Sequence, residues 1–146
     1  MKKLVLIAAL LAVWSAQPGW AATKAKSACA ATSKPSEAEM AIRYMTELMV
    51  ISSACQNTTY AEFRLRNKDA IIAYQHALMV RFHGAAAFDR WNTSLANQLE
   101  QTHINITTAQ LCQESDALMK QAAALDTKGF KAYAAAQAAA APAPTC

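Results

Sequence analysis

The chain reads as an all-α protein: an antiparallel four-helix bundle braced by a disulfide, with a flexible N-terminal arm and an Ala/Pro-rich C-terminal tail. Three observations predict this. Apolar residues recur at helical spacings of three and four from Met40 to Leu125. The alternation that marks a half-buried strand is absent, and the breaks between periodic stretches are short. Four cysteines stand in a chain of 146 residues whose start has the layout of an export signal.

That start comes first in the element order. Lys2 and Lys3 precede the apolar run "LVLIAALLAV" (Leu4 to Val13), "QPG" then breaks any helix, and Gly19 and Ala21 are the small residues a signal peptidase reads. The apolar core is too short to span a bilayer core of ~30 Å. Cleavage is expected after Ala21, leaving a periplasmic chain, the short Lys-Lys opening being of bacterial type. No later segment is long and apolar enough to cross a membrane. The formal charge of +4 falls to +2 once Lys2 and Lys3 depart, and the remainder is spread out. Nucleic acid is a poor partner for such a surface.

The expected partition is a leader over 1–21, an arm over 22–35, a helical domain over 36–130 and a tail over 131–146. The arm, "TKAKSACAATSKP", shows no apolar period. The first helix opens at Ser36, with Glu39 three residues on as a capping box. Met40, Tyr44, Leu48, Ile51 and Cys55 share one of its faces, and Ile42, Met45 and Met49 form a second apolar stripe. A helix apolar on two sides is either central in its bundle or touches a partner.

Asn57-Thr58-Thr59 makes a turn, and the second helix runs from about Tyr60 to His83, with Gly84 as its C-terminal cap. Its core face holds Tyr60, Phe63, Asn67, Ile71, Tyr74, Leu78 and Phe82. The third, Ala85 to Thr102, presents Phe88, Trp91, Leu95 and Leu99. Thr107 or Thr108 caps the fourth, which buries Leu111, Leu118, Ala122 and Leu125, with Gly129 a candidate interruption. The stretch "AYAAAQAAAAPAPTC" has little to bury and is expected to fray or extend from the body.

In this up-down-up-down order the end of the first helix and the start of the fourth share a pole, so Cys55 and Cys112 are the preferred bridge. Cys29 and Cys146 can pair, link two chains or stay free. No CxxC occurs, which argues against a thiol–disulfide oxidoreductase or a zinc ribbon. His76 and His83 lie seven residues apart, about 10.5 Å along a helix, too far for one metal. Haem has no CxxCH, and the methionines read as core filler, so no metal or cofactor is expected. Asn67, on an apolar face between Tyr60 and Tyr74 with Arg64 at its edge, needs a hydrogen-bond partner if buried. That partner is a loop carbonyl or a tyrosine hydroxyl, or else these four residues form a small polar pocket. No nucleophile–base pair accompanies them, so no catalytic residue is assigned.

The runs "CQNTTYAEFRLRN", "AIIAYQHALMVRFHG" and "AAFDRWNTSLANQ" resemble a group of small exported bacterial helical proteins of unknown function. Cys55, Tyr60, Phe63, Asn67, Tyr74, Phe88, Asp89, Leu95 and Asn97 carry the resemblance. It implies export and a helical fold, and supplies no activity. The expected role is therefore binding rather than catalysis, with another periplasmic protein or a second copy as partner and Ile42, Met45 and Met49 as the contact stripe. The alternative is a carrier of a small ligand or cofactor with its pocket near Asn67.

Overall fold

The computed structural model describes residues 34–142, and over them the protein is all-helical, with no strand. The expected leader, the arm up to residue 33, Cys29 and Cys146 lie outside the described residues. Seven helices follow in order: α1 (Glu37–Ala54), α2 (Thr59–Arg66), α3 (Lys68–Arg81), α4 (Ala85–Thr102), α5 (Thr108–Glu114), α6 (Asp116–Ala124) and α7 (Thr127–Ala140).

Helix α1 starts where the capping box places it. The Ser36 hydroxyl accepts from the Glu39 N–H at 3.2 Å, and the Ser36 N–H donates to Glu39 Oε2 at 2.6 Å. Its buried residues, from Ala38 to Ser52, include Ala41, Ile42, Tyr44, Met45, Thr46, Leu48 and Ile51. At 100° per residue these positions cover more than half the circumference of the helix. Each of the other six helices packs against it. Glu39 pairs with Arg81 at the end of α3 at 3.2 Å, and Tyr44 meets Phe130 and Tyr133 near the start of α7, so α3 and α7 run antiparallel to α1. The buried Thr46 hydroxyl donates to the carbonyl of Ile42 at 2.8 Å and lies 3.1 Å from the Asn92 side-chain amide of α4, which satisfies it inside the core.

Of the four long helices expected, the first and third stand whole as α1 and α4, whereas the second and fourth are divided into shorter pieces for local reasons. Residues 60–83 were expected as one rod, and Asn67 divides it into α2 and α3. The backbone bonds Asn67 N–H to Phe63 O and Ile71 N–H to Asn67 O persist across the joint. The Asn67 side-chain amide also donates to the Phe63 carbonyl at 3.0 Å. Such bonding back to the i−4 carbonyl bends a helix rather than ending it. Ser115 joins α5 to α6 with the same backbone continuity.

The fourth expected helix ends at Leu125, not at Gly129. Asp126 caps α7 by accepting from the Gly129 N–H at 2.7 Å, so Gly129 sits within the first turn of a new helix. That helix corrects the expected tail. Residues 131–140 belong to α7, which lies along α1 with Phe130 and Ala134 fully buried. Alanine presents little side chain, so the two backbones can approach closely along that line. The Lys34 ammonium donates to the Ala139 carbonyl at 2.7 Å, the favourable place for a cation at a helix C-terminus.

Helices α1 and α3 end alike. Gln56 (φ +52°) and His83 (φ +59°) are left-handed, and each donates back to the residue three before it, Ser53 or Val80. The following N–H groups, of Asn57 and Gly84, reach Ser52 and Met79, which completes a Schellman closure at both ends. The left-handed cap after α3 is thus His83, not the expected Gly84. Gly84 instead takes φ +142° and ψ 160°, a region essentially reserved for glycine, and leads directly into α4.

Aromatic rings fill the centre: Tyr44, Phe63 and Phe130 pack edge-on or tilted at centroid distances of 4.9–6.3 Å, and Tyr133 lies 4.6 Å from Tyr44. The Tyr44 hydroxyl is buried with no hydrogen-bond partner among the described residues. Burial first, then the neighbouring Tyr133 and Glu47, push its ionisation well above the usual range. Burial also raises that of Tyr133, and burial with its bond to Glu37 pushes that of Tyr74 well up.

Two outcomes follow from this geometry. Gly84→Ala should cost about 1–3 kcal/mol in urea unfolding from backbone strain alone, since a Cβ there would touch nothing within 4 Å; an unchanged midpoint would show that the turn re-forms. A tyrosine whose folded pKa is raised leaves stability intact below its unfolded pKa of about 10, and that stability falls as pH rises beyond it. Stability should therefore be flat in these groups through neutral pH and drop above about pH 10. Tyr44→Phe should make that drop shallower and gain about 1 kcal/mol at pH 7 by removing an unpaired hydroxyl. A loss at pH 7, with the alkaline slope kept, would mean that the hydroxyl is paired in solution.

Candidate functional site

The sequence-derived candidates separate into three places. Cys55 and Cys112 form a disulfide, with Cα atoms 5.7 Å apart, tying the cap of α1 to α5 across 57 residues. Closing a loop of that length stabilises by about 4 kcal/mol in the chain-entropy model. The turn beside it is built from Ser52, whose hydroxyl donates to Asn57 Oδ1 at 2.9 Å and accepts from the Tyr60 N–H at 3.0 Å. The Thr59 N–H also bonds Asn57 Oδ1, so the asparagine shapes the entrance to α2. These residues are architecture.

The stripe Ile42, Met45 and Met49 is not a free face. Ile42 is 0% and Met45 6% exposed, and both belong to the main apolar cluster beneath the surrounding helices. Met49 is half-buried. The two-sided apolarity of α1 comes from enclosure, which corrects the expected contact surface.

The polar quartet comes apart as well. Asn67 is fully buried, its amide donating to the carbonyls of Phe63 at 3.0 Å and Leu125 at 3.4 Å. Its partner is thus a loop carbonyl at the end of α6, and Asn67 Oδ1 has no partner among the described residues. Tyr74 packs edge-on against Phe130 and donates its hydroxyl to Glu37 of α1. Arg66, which the sequence reading passed over, does more at the kink. Its guanidinium donates to Leu125 O at 3.0 Å and Ala122 O at 2.8 Å, and its own carbonyl accepts from Thr127 Oγ1 at 3.3 Å. The signal was only a cation within helical reach of a helix C-terminus, and pairing between remote segments cannot be read from spacing.

Tyr60 and Arg64 remain together, in a groove of about 580 Å³ along α2 and α3. Buried Met45 and Ile71 form its floor, and Ala61, Leu65 and Ile72 are its other apolar lining. Lys68 and Gln75 join Tyr60 and Arg64 as the polar lining. Leu65 is 78% and Ile72 52% exposed. With Val80 they make three of the four large apolar side chains exposed among the described residues, so bare apolar surface concentrates on this one rod. No ion pair engages Arg64 or Lys68 among the described residues. Asn67 and Tyr74 do not line this groove.

A second groove, about 440 Å³, lies where α1, α4 and α5 converge near the disulfide. Met49 and Val50 meet Leu111 there, with Glu100 and His103 at the end of α4. Met45 and Met49 thus lie beneath different surface depressions. Among the described residues no three His, Cys, Asp or Glu side chains gather where a metal could bind, and no helix is long and apolar enough to cross a membrane. Comparison with protein families, with curated proteins and with solved structures finds nothing similar to the chain.

Proposed function

We propose that the protein is an exported, periplasmic binding protein without catalytic activity, and that it engages a partner through the groove on α2 and α3. The observation that carries this reading is the juxtaposition of exposed Leu65 and Ile72 with Arg64 and Lys68, cations in no ion pair among the described residues, in one depression. Isolated apolar residues on a surface are ordinary, but a clustered patch beside charged groups marks an interaction site. The disulfide is compatible with an oxidising compartment, and the leader-like start supports export.

A carrier with its pocket at Asn67 has less behind it. The Asn67 amide is engaged by two carbonyls, and the residue lines neither groove. The volume beside it opens onto a face with protruding Leu65, which suits an extended partner better than an enclosed small ligand.

A photoreactive amino acid at Leu65 or Ile72, introduced into the full chain in its host, tests the reading. Both positions should give discrete adducts, whereas Asp69, exposed on α3 but outside the groove, should not. An adduct at twice the chain mass would identify a second copy as the partner. Leu65→Asp should abolish partner adducts captured from Ile72 while changing stability by less than about 0.5 kcal/mol. Equal labelling from Asp69, or none from either groove position, would overturn the proposal.

A further inference from the structure

The lining of the groove names the shape of its occupant. Ala61, Leu65, Lys68, Ile72 and Gln75 follow one another at spacings of four, three, four and three. That is the alternation by which one helix offers a seam to another. All five border the same depression, so the seam survives the joint at Asn67, across which the backbone bonds are kept. From Ala61 to Gln75 it runs about 21 Å, at about 1.5 Å per residue. A single partner helix of four turns matches that length, and its side chains would enter between the seam and the floor made by Met45 and Ile71.

Charge sets the chemistry. Among the described residues, both charged side chains lining the groove, Arg64 and Lys68, are cations, and no carboxylate lines it. The nearby carboxylates, Glu62 and Asp69, belong to α2 and α3 but lie outside the depression. A helix flanked by lysines would bring like charges together there, whereas one flanked by glutamates or aspartates would not. The arm of the chain itself is a poor occupant, since its charged residues Lys24, Lys26 and Lys34 are all basic.

Resting on the groove reading above, we infer that the partner presents one amphipathic α-helix with an apolar stripe and acidic flanks, laid lengthwise along α2 and α3. The groove holds it by apolar contact with Leu65 and Ile72, and Arg64 and Lys68 select its sign. An anionic lipid surface offers the same charge without the matching helical seam, and the helix is the occupant the spacing favours.

The test uses the full mature chain with its disulfide intact and three probes. These are an 18-residue capped helical peptide with a leucine stripe flanked by glutamates, the same peptide flanked by lysines, and phosphatidylglycerol vesicles. Fluorescence anisotropy should show the acidic peptide binding roughly tenfold more tightly than the basic one at about 0.05 M salt. The gap should close towards about 0.5 M salt, as screening shortens the reach of the charges. Leu65→Asp should lose binding of both peptides, and Arg64→Glu with Lys68→Glu should reverse the preference while circular dichroism stays unchanged.

Equal binding of both peptides, lost with Leu65→Asp, would overturn the acidic class and leave the groove reading standing. Vesicle binding without peptide binding would replace the helix with a lipid surface. No binding of any probe, with photoadducts still formed from Leu65 and Ile72, would overturn this inference alone. No binding and no adducts would overturn the groove reading with it.

Discussion

The structure depends on the enclosure of α1. Its buried side chains occupy more than half of its circumference, so a single neighbouring helix cannot cover them. The other six helices all lie against it. Each large apolar side chain taken from water contributes roughly 1.5–3 kcal/mol, and Ile42, Met45, Leu48 and Ile51 are all at most 6% exposed. Against a net domain stability of about 5–15 kcal/mol, uncovering even one of these side chains is a large loss. Its buried aliphatic hydroxyls are met from within, Thr46 by Ile42 and Asn92 and Ser52 by Asn57 and Tyr60, while the Tyr44 hydroxyl has no partner among the described residues.

Enclosure by short helices needs fastening at the joints. The disulfide holds the exit of α1 to α5. The kink at Arg66 and Asn67 receives the last carbonyls of α6 and the first hydroxyl of α7, so the wrap between α6 and α7 is held to α2. Lys34 closes on the end of α7 just before α1 begins. These polar contacts fall at segment ends, where backbone groups otherwise lack partners. They fix which helix lies beside which, while the apolar core supplies most of the energy.

Much of this was legible in local chemistry. The Ser36–Glu39 box, the limits Ala85–Thr102 and the pairing of Cys55 with Cys112 all follow from neighbouring residues or from a short-loop topology. The burial of Phe63, Asn67, Ile71 and Leu78 follows from periodicity. What was missed depends on partners remote in sequence. An alanine-rich stretch looks surplus when judged by side-chain size, yet Phe130 and Ala134 repeat at the spacing that α1 covers. The stripe of Ile42 and Met45 looked like a contact surface for the converse reason, because apolarity alone does not say what lies over it. Asn67 was correctly marked as needing a partner, but which carbonyl supplied it depended on the path of α6.

Because α1 is shielded, the proposed recognition surface lies on the helices around it, and α2 and α3 carry three of the four large apolar side chains exposed among the described residues. The role of α1 there is indirect: Met45 supplies the groove floor, so the core and the groove share a residue. The claim on which this depends is that α1 opens only when the whole domain unfolds. Native-state hydrogen exchange, resolved by residue, measures it directly. The account predicts that amides from Ile42 to Leu48 exchange last, with an opening free energy equal to that of global unfolding by denaturant. Exchange of those amides through a smaller local opening, ahead of α3 or α7, would contradict it.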